Sequence, residues 1–294
     1  LVKELEPGLN ALFGLEYKRY ENQHAEIYNE ESSDRAFEEE VMLSGFANAQ
    51  VKGEGSGVSF DEAQETFTAR YTHETVALAF AITEEAIEDN LYDRLASRYT
   101  KALARSMSNA KQVKAVEPLI NGFGGGFTSG DGANLFATNH STVSGSFQNT
   151  LTTQADLNET SLEQSLIDIG QMTDERGLRV AARGLKMIIP SELQFTAERL
   201  MKSQGRTGTA DNDINAIVSM GMVPQGYRVN NYLTDTDAFY ILTDVPNGMK
   251  MFNRAPLTTA MEGDFDTGNV RYKARERYSF GVSDPRGIFG SPGA

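Results

Sequence analysis

Cysteine is absent from these 294 residues. Disulfides and thiolate chemistry go with it, so any covalent reinforcement would have to use other side chains. Histidine is scarce. His24, His73 and His140 have no metal-like spacing and no HExxH companion, and each reads as a surface or hinge side chain before it reads as a ligand. No serine stands in a GxSxG setting, so no catalytic set assembles and no cofactor is expected. No apolar run approaches the length of a bilayer span, and no basic segment followed by a short apolar run opens the chain. Neither a membrane partner nor a secretory signal is therefore expected, and Leu1 in place of Met reads as a trimmed start. Basic residues are also outnumbered, 27 Lys and Arg against 41 Asp and Glu, for a formal charge of −14. Such a surface repels phosphate backbones and argues against a dedicated nucleic-acid binder, though not against a wall that encloses DNA without gripping it.

What is present is an ordinary globular composition, 39% hydrophobic and 23% charged, long enough for one large domain or two entwined ones. The opening segment, with "EIYNEESSDRAFEEE", is rich in acids and poor in apolar periodicity, which predicts an extended or partly helical arm. From Val41 the pattern alternates through Leu43, Gly45, Ala47, Ala49 and Val51, passes the tip "VKGEGSGVSF", and resumes at Phe67, Ala69 and Tyr71. The apolar parity then flips to Val76, Leu78, Phe80 and Ile82. A one-residue slip turns a strand's side chains over, so a bend is expected at His73, Glu74 and Thr75, with a long hairpin projecting from it.

The run from Thr83 to about Lys114 reads as the clearest helix. Acids Glu84, Glu85, Glu88 and Asp89 complement the N-terminal end of its dipole, and Arg94, Arg98, Lys101 and Arg105 load the later turns. Ile87, Leu91, Leu95, Ala102, Ser106 and Ala110 form its expected inner stripe. Next comes a polar, glycine-rich flexible loop, "NGFGGGFTSGDGANLFATNHSTVSGSFQNT". A helix at about Leu157–Thr173, the strand "LKMII" and a helix at about Ser191–Gln204 follow. "AIVSMGMV" and "AFYILTD" read as buried strands. The last regular element, "NVRYKARERYSFGVSD", is a strand with one apolar and one basic face. That basic face is expected to pair with carboxylates of its own chain or of a neighbour, in preference to DNA.

Two motifs fail on inspection. "GFGGGF" at Gly122–Phe127 lacks the Gly-Lys-Ser/Thr of a phosphate cradle and follows a helix, not a strand. Asp211, Asp213 and Asn215 have calcium-loop spacing, but Ala216 stands where glycine is required and Met222 where a glutamate is. They read as loop and helix-cap residues, and no metal is expected.

The order of elements resembles the major capsid (major head) proteins of tailed double-stranded-DNA bacteriophages, closest to the Mu-like head subunit group, with the Hong-Kong-phage capsid fold. The resemblance is carried by "FAITEEAIEDNLY" entering a long helix, and by "DGANLFATNHSTVSGSFQNTLT" running on to "GLKMIIPSELQFTAERLMKS". Its residues are Thr83, Glu84, Asp131, Gly132, Leu135, Phe136, His140 and Pro190. The fold it implies is α+β. An N-terminal arm would span 1–38, an extended loop hairpin 39–82, and a peripheral domain with a spine helix 83–149. An axial domain would span 150–262, and a return strand of the peripheral domain 263–294.

The function implied is structural and non-enzymatic: self-assembly into hexamers and pentamers of an icosahedral head enclosing double-stranded DNA. The hairpin tip, Val51, Lys52, Gly53, Glu54, Gly55, Ser56, Gly57 and Phe60, would lie on a neighbouring subunit, with His73, Glu74 and Thr75 as its hinge. The implied partners are further copies of the chain, a portal, scaffold, protease or decoration proteins, and packaged DNA held without sequence-specific binding. The implied place is the virion shell, reached through assembly in the host cytoplasm. Some members of this fold join subunits by a Lys–Asn isopeptide bond promoted by a buried Glu. Lys52 could be that lysine, but no motif assigns the Asn or the Glu, and an uncrosslinked shell is expected. An encapsulin-like compartment shell is the alternative of the same fold. A ligand-binding protein or enzyme using the loop 121–132 is the alternative of another class.

Overall fold

The structure is a computed structural model that describes residues 2–88, 92–205, 213–264 and 268–294, with the side chains of 2–5, 87–88 and 92–94 excepted. The readings made at Leu1, Asp89, Leu91 and Asp211 lie outside the described residues, and those made of the Ile87, Glu88 and Arg94 side chains lie outside the described side chains.

Helix α1 (Val2–Arg19) opens the chain. Leu9, Phe13 and Tyr17 recur every four residues, and Leu9 and Phe13 are buried against the long helix that follows later. The arm expected over 1–38 is thus a docked helix for its first half, because this stripe outweighs the acids around it. Strand β1 (Asn29–Ser32) comes next, then the hairpin strands β2 (Phe37–Leu43) and β3 (Glu65–Thr72), which pair antiparallel with each other. The strand expected to continue to Val51 ends at Leu43. Gly45 turns left-handed there (φ 66°), which takes the chain out of the ladder.

After β4 (Glu74–Ile82) come α2 (Glu84–Glu88) and α3 (Tyr92–Ile120). At about 1.5 Å per residue α3 is a rod of roughly 43 Å. Its buried stripe is Ala96, Thr100, Leu103, Ala104 and Met107. Ala102 and Ser106 of the expected stripe are exposed. Several faces of this helix carry small residues, and α1 selects the one bearing Leu103 and Met107. The next stretch, read as flexible, holds β5 (His140–Thr142) and β6 (Gly145–Phe147) and sinks Leu135 and Phe136 into the core.

The remaining elements are α4 (Glu159–Gln171), β7 (Gly184–Ile189), α5 (Gln194–Lys202), α6 (Ala216–Met220), β8 (Tyr227–Val229), β9 (Phe239–Thr243), β10 (Met249–Gly263), β11 (Val270–Val282) and β12 (Ile288–Ser291). "AIVSMGMV", read as a strand, is α6. The Asn215 side chain accepts from the backbone N–H groups of Ile217 and Val218 at its start, and Gly221 closes it left-handed.

Two four-stranded sheets organise the molecule, in orders β1-β10-β11-β4 and β12-β9-β7-β8. β10, expected with the middle unit, is the antiparallel partner of β11 along almost its whole length. The segment 263–294 divides between the sheets, because β12 pairs with β9 while β11 pairs with β4 and β10. One core lies where α3 and the sheets meet, around Leu119, Leu135, Tyr240 and Ile288. A second fills the β12-β9-β7-β8 unit around Leu162, Ile169 and Phe239, and a third seats α1 on α3 and β11.

Candidate subunit interface

The hairpin β2–β3 leaves the body at one residue. β3 pairs only with β2, β4 pairs with β11, and His73 stands between them. Its Nδ1 lies 3.0 Å from Ser279 Oγ and its Nε2 lies 3.0 Å from Ser33 Oγ, so the ring joins the hairpin, β11 and the segment after β1. Burial holds its pKa below the usual imidazole value, and the Arg277 guanidinium adds to that. Glu74 forms an ion pair with Lys114 of α3 at 3.1 Å, and Thr75 stands opposite Arg277 across the ladder.

The base of the hairpin is fastened to the body through Ala69 and Tyr71, which the strand alternation marks, and through residues that it does not. Ala69 and Tyr71 are buried against Phe252, with the two rings edge to face at 4.8 Å. Gly281 makes room for this, since a Cβ there would come within 2.6 Å of the Tyr71 ring. The Tyr71 hydroxyl meets Ser283 Oγ, and Ser283 also donates to Glu40. Lys250, 5% exposed, reaches Glu40 at 2.5 Å and Glu31 at 3.1 Å. Burial alone would lower the Lys250 pKa. The hydrogen bonds to Glu40 and Glu31 outweigh it and raise the value, so the charge is kept. A signal for Lys250 existed in the sequence: a lysine inside the apolar run "MKMF" needs a buried partner.

Beyond Leu43 the character changes. Residues 44–64 contain no helix or strand. Ser56 donates to the Gly53 carbonyl through both its backbone N–H and its hydroxyl, and Gly55 turns left-handed (φ 76°), which folds the tip back on itself. Lys52, Gly53, Glu54, Gly55, Ser56 and Gly57 are all exposed, and Val51 and Phe60 are 100% and 98% exposed. Phe46 and Val58 also face solvent. One fastening restrains the returning limb: Arg176, in the turn after α4, donates to the Glu62 carbonyl at 2.6 Å and lies 3.7 Å from Asp61. The Ala47 N–H hydrogen-bonds Asp61 and holds its carboxyl pKa down.

The three histidines, read as surface or hinge side chains, are all buried. His24 exchanges hydrogen bonds with Gln112 of α3, and burial pushes its pKa down to about 4. His140 lies 2.7 Å from Asp131, while Asn149 donates to the carbonyls of Leu135 and Pro285. These contacts pin the glycine-rich stretch. Among the described residues no group of His, Asp and Glu is arranged to hold a metal.

A family model described as phage capsid protein matches residues 65–290. No curated protein sequence matches. Among solved structures, the fold is similar to that of a virus-like particle from Pyrococcus furiosus, with TM-score 0.56 and 10% identity over 97% of this chain and 98% of that one. It is similar to the capsid of an empty GTA particle, with TM-score 0.55 and 14% identity over 90% and 87% of the two chains. Mycobacterium phage Che8 gives TM-score 0.54 and 16% identity over 93% of each. At these identities the likeness is one of fold.

Proposed function

This chain belongs to the phage capsid protein family, and on that premise we propose that it builds hexamers and pentamers of an icosahedral head, joined through the hairpin tip. It is a structural, non-enzymatic major capsid protein of the virion, and its copies assemble into a shell that encloses DNA. The observation that carries the proposed contact is the 44–64 loop. Its large apolar side chains Phe46, Val51, Val58 and Phe60 lack cover within their own chain. A monomer gains nothing from exposing them, whereas a neighbour that covers them removes apolar surface from water at about 25 cal/mol per Å².

Glycines at the tip let one sequence fit the differing curvature of six-fold and five-fold settings. His73, Glu74 and Thr75 act as the hinge, because the backbone changes sheets there. Portal, scaffold, protease or decoration proteins complete the assembly in the host cytoplasm, and the packaged DNA is held without base-specific contact.

Expression followed by negative-stain imaging tests this reading. Closed polyhedral particles are expected, and deleting residues 50–58 should leave folded subunits that no longer close. A folded, monodisperse small oligomer from the intact chain would overturn it. A shell of the same fold with contents other than DNA is the second reading. Nuclease-protected DNA inside particles from infected cells separates the two.

A further inference from the structure

A cleft of about 210 Å³ opens where the hairpin leaves the body. Thr72 and Glu74, on either side of His73, form one wall, and Lys114, Glu117 and Pro118 near the end of α3 form another. Phe127 and Phe280 line it with half-buried rings, and so does Tyr278 of β11.

Tyr278 is the anomaly. It is 2% exposed, yet its hydroxyl has no hydrogen-bond partner among the described residues, an arrangement that costs stability unless something fills the gap. Burial first, and then the charge of Glu276, push its pKa up, so the phenol stays protonated. Glu74 and Glu117 act on the same hydroxyl, which sets it at the cleft that they line.

The charges around it do not balance. Lys114 Nζ lies 3.1 Å from a carboxylate oxygen of Glu74 and 3.1 Å from one of Glu117. One ammonium shared between two carboxylates leaves one negative charge over. Pro118 has no N–H, so the Lys114 carbonyl lacks the donor that the helix would otherwise supply. The uncommitted polar atoms are thus mainly acceptors: the second oxygens of Glu74 and Glu117, this carbonyl and the phenol oxygen.

Water would satisfy the phenol and leave the charge unbalanced. An anion would meet a lysine that is already taken. A donor-rich cation meets both needs. The cleft is smaller than those that hold drug-sized ligands, and it suits the end of a basic side chain or a small amine.

We propose that this cleft binds a guanidinium or primary ammonium group, with Glu74 and Glu117 taking its charge, the Tyr278 oxygen accepting an N–H, and Phe127 and Phe280 flanking its alkyl stem. The site is a function beyond assembly, and its test does not depend on the shell closing.

Calorimetric titration of n-butylguanidinium into the full-length unassembled subunit provides that test, with n-butylurea as a neutral probe of the same shape. Saturable binding of the cation, weakening as salt rises, is expected, and none of the urea. Tyr278→Phe and Glu117→Gln should each weaken binding by about tenfold. Tyr278→Phe should melt no lower than wild type, because its hydroxyl has no bond to lose. Glu117→Gln, at a half-buried position, keeps the test open should the ring variant fail to fold.

Absent binding, equal binding of the urea, or an affinity unchanged in both variants would overturn the proposal. So would a Tyr278→Phe subunit of raised melting temperature when the wild type takes up no probe, which would make the cleft a water pocket. Where binding is found, assembled particles identify the source of the group. Uptake by subunits alone assigns it to a basic side chain of a neighbouring chain, and uptake by particles as well assigns it to a free solute.

Discussion

The two ends of the hairpin obey different rules. At the base, Tyr71 is packed on Phe252, and Lys250 sits between two carboxylates with its charge kept. Phe60, eleven residues before Tyr71, and Val51, twenty before it, stand in solvent on either side of the tip glycines. One polypeptide segment therefore contains a region whose interactions are complete within the subunit and a region whose interactions are not. Stability should respond to the first, and assembly to the second.

Four measurements can break or sharpen that contrast. Tyr71→Ala removes a buried ring and should destabilise the unassembled subunit by about 4 kcal/mol in denaturant titration, because the pocket beside Phe252 and Gly281 has no other filler. A loss under about 1 kcal/mol would mean that the base is not docked in solution.

Titration of histidine acts only on docked parts, since no histidine lies in 44–64. The fold holds His24 neutral, with its pKa lowered from 6.5 to about 4 by burial. Unfolding takes up a proton once the pH falls below about 6.5. Stability is therefore complete above that pH and declines by about 3 kcal/mol as it approaches 4. His24→Gln should flatten this slope, and an unchanged slope would remove His24 as its source.

Lys250→Met leaves Glu40 and Glu31 without their cation. It should cost about 2 kcal/mol, less than for a fully buried pair because both carboxylates are partly exposed. Adding Glu40→Gln to that variant should recover part of the loss. Smallest in stability is Phe60→Ser, expected within about 0.5 kcal/mol of wild type by melting, while particle yield falls by about tenfold. Equal effects on both readouts would erase the distinction between base and tip.

The sequence made some of this legible and hid the rest for physical reasons. The apolar parity flip around His73 could be read because strands alternate strictly, and β11 because its two faces differ in charge. α6 was misread because a short apolar run fits helix and strand alike. Its identity is decided by the Asn215 cap and the left-handed Gly221. β10 went unread because Pro256 and two register shifts between Asn253 and Thr258 interrupt its alternation. The glycine-rich stretch looked mobile on composition, yet Leu135, Phe136 and His140 hold it from within. At the candidate interface, the exposure of the tip could be read from its glycine content. Lys250, Glu40 and Ser283 converge on one point from distant parts of the chain, which no local pattern reports.

The pairing of β12 with β9 sets an order of events. Phe289 closes the core lined by Ile241 and Phe239, and Ile288 the core lined by Tyr240, residues made some fifty positions earlier. A polypeptide broken off before Ile288 would keep β9's edge bare and its apolar side chains wet, and bare edges of that kind clump. A chain shortened by its last seven residues is therefore expected to appear in the insoluble fraction, where the full chain stays in solution.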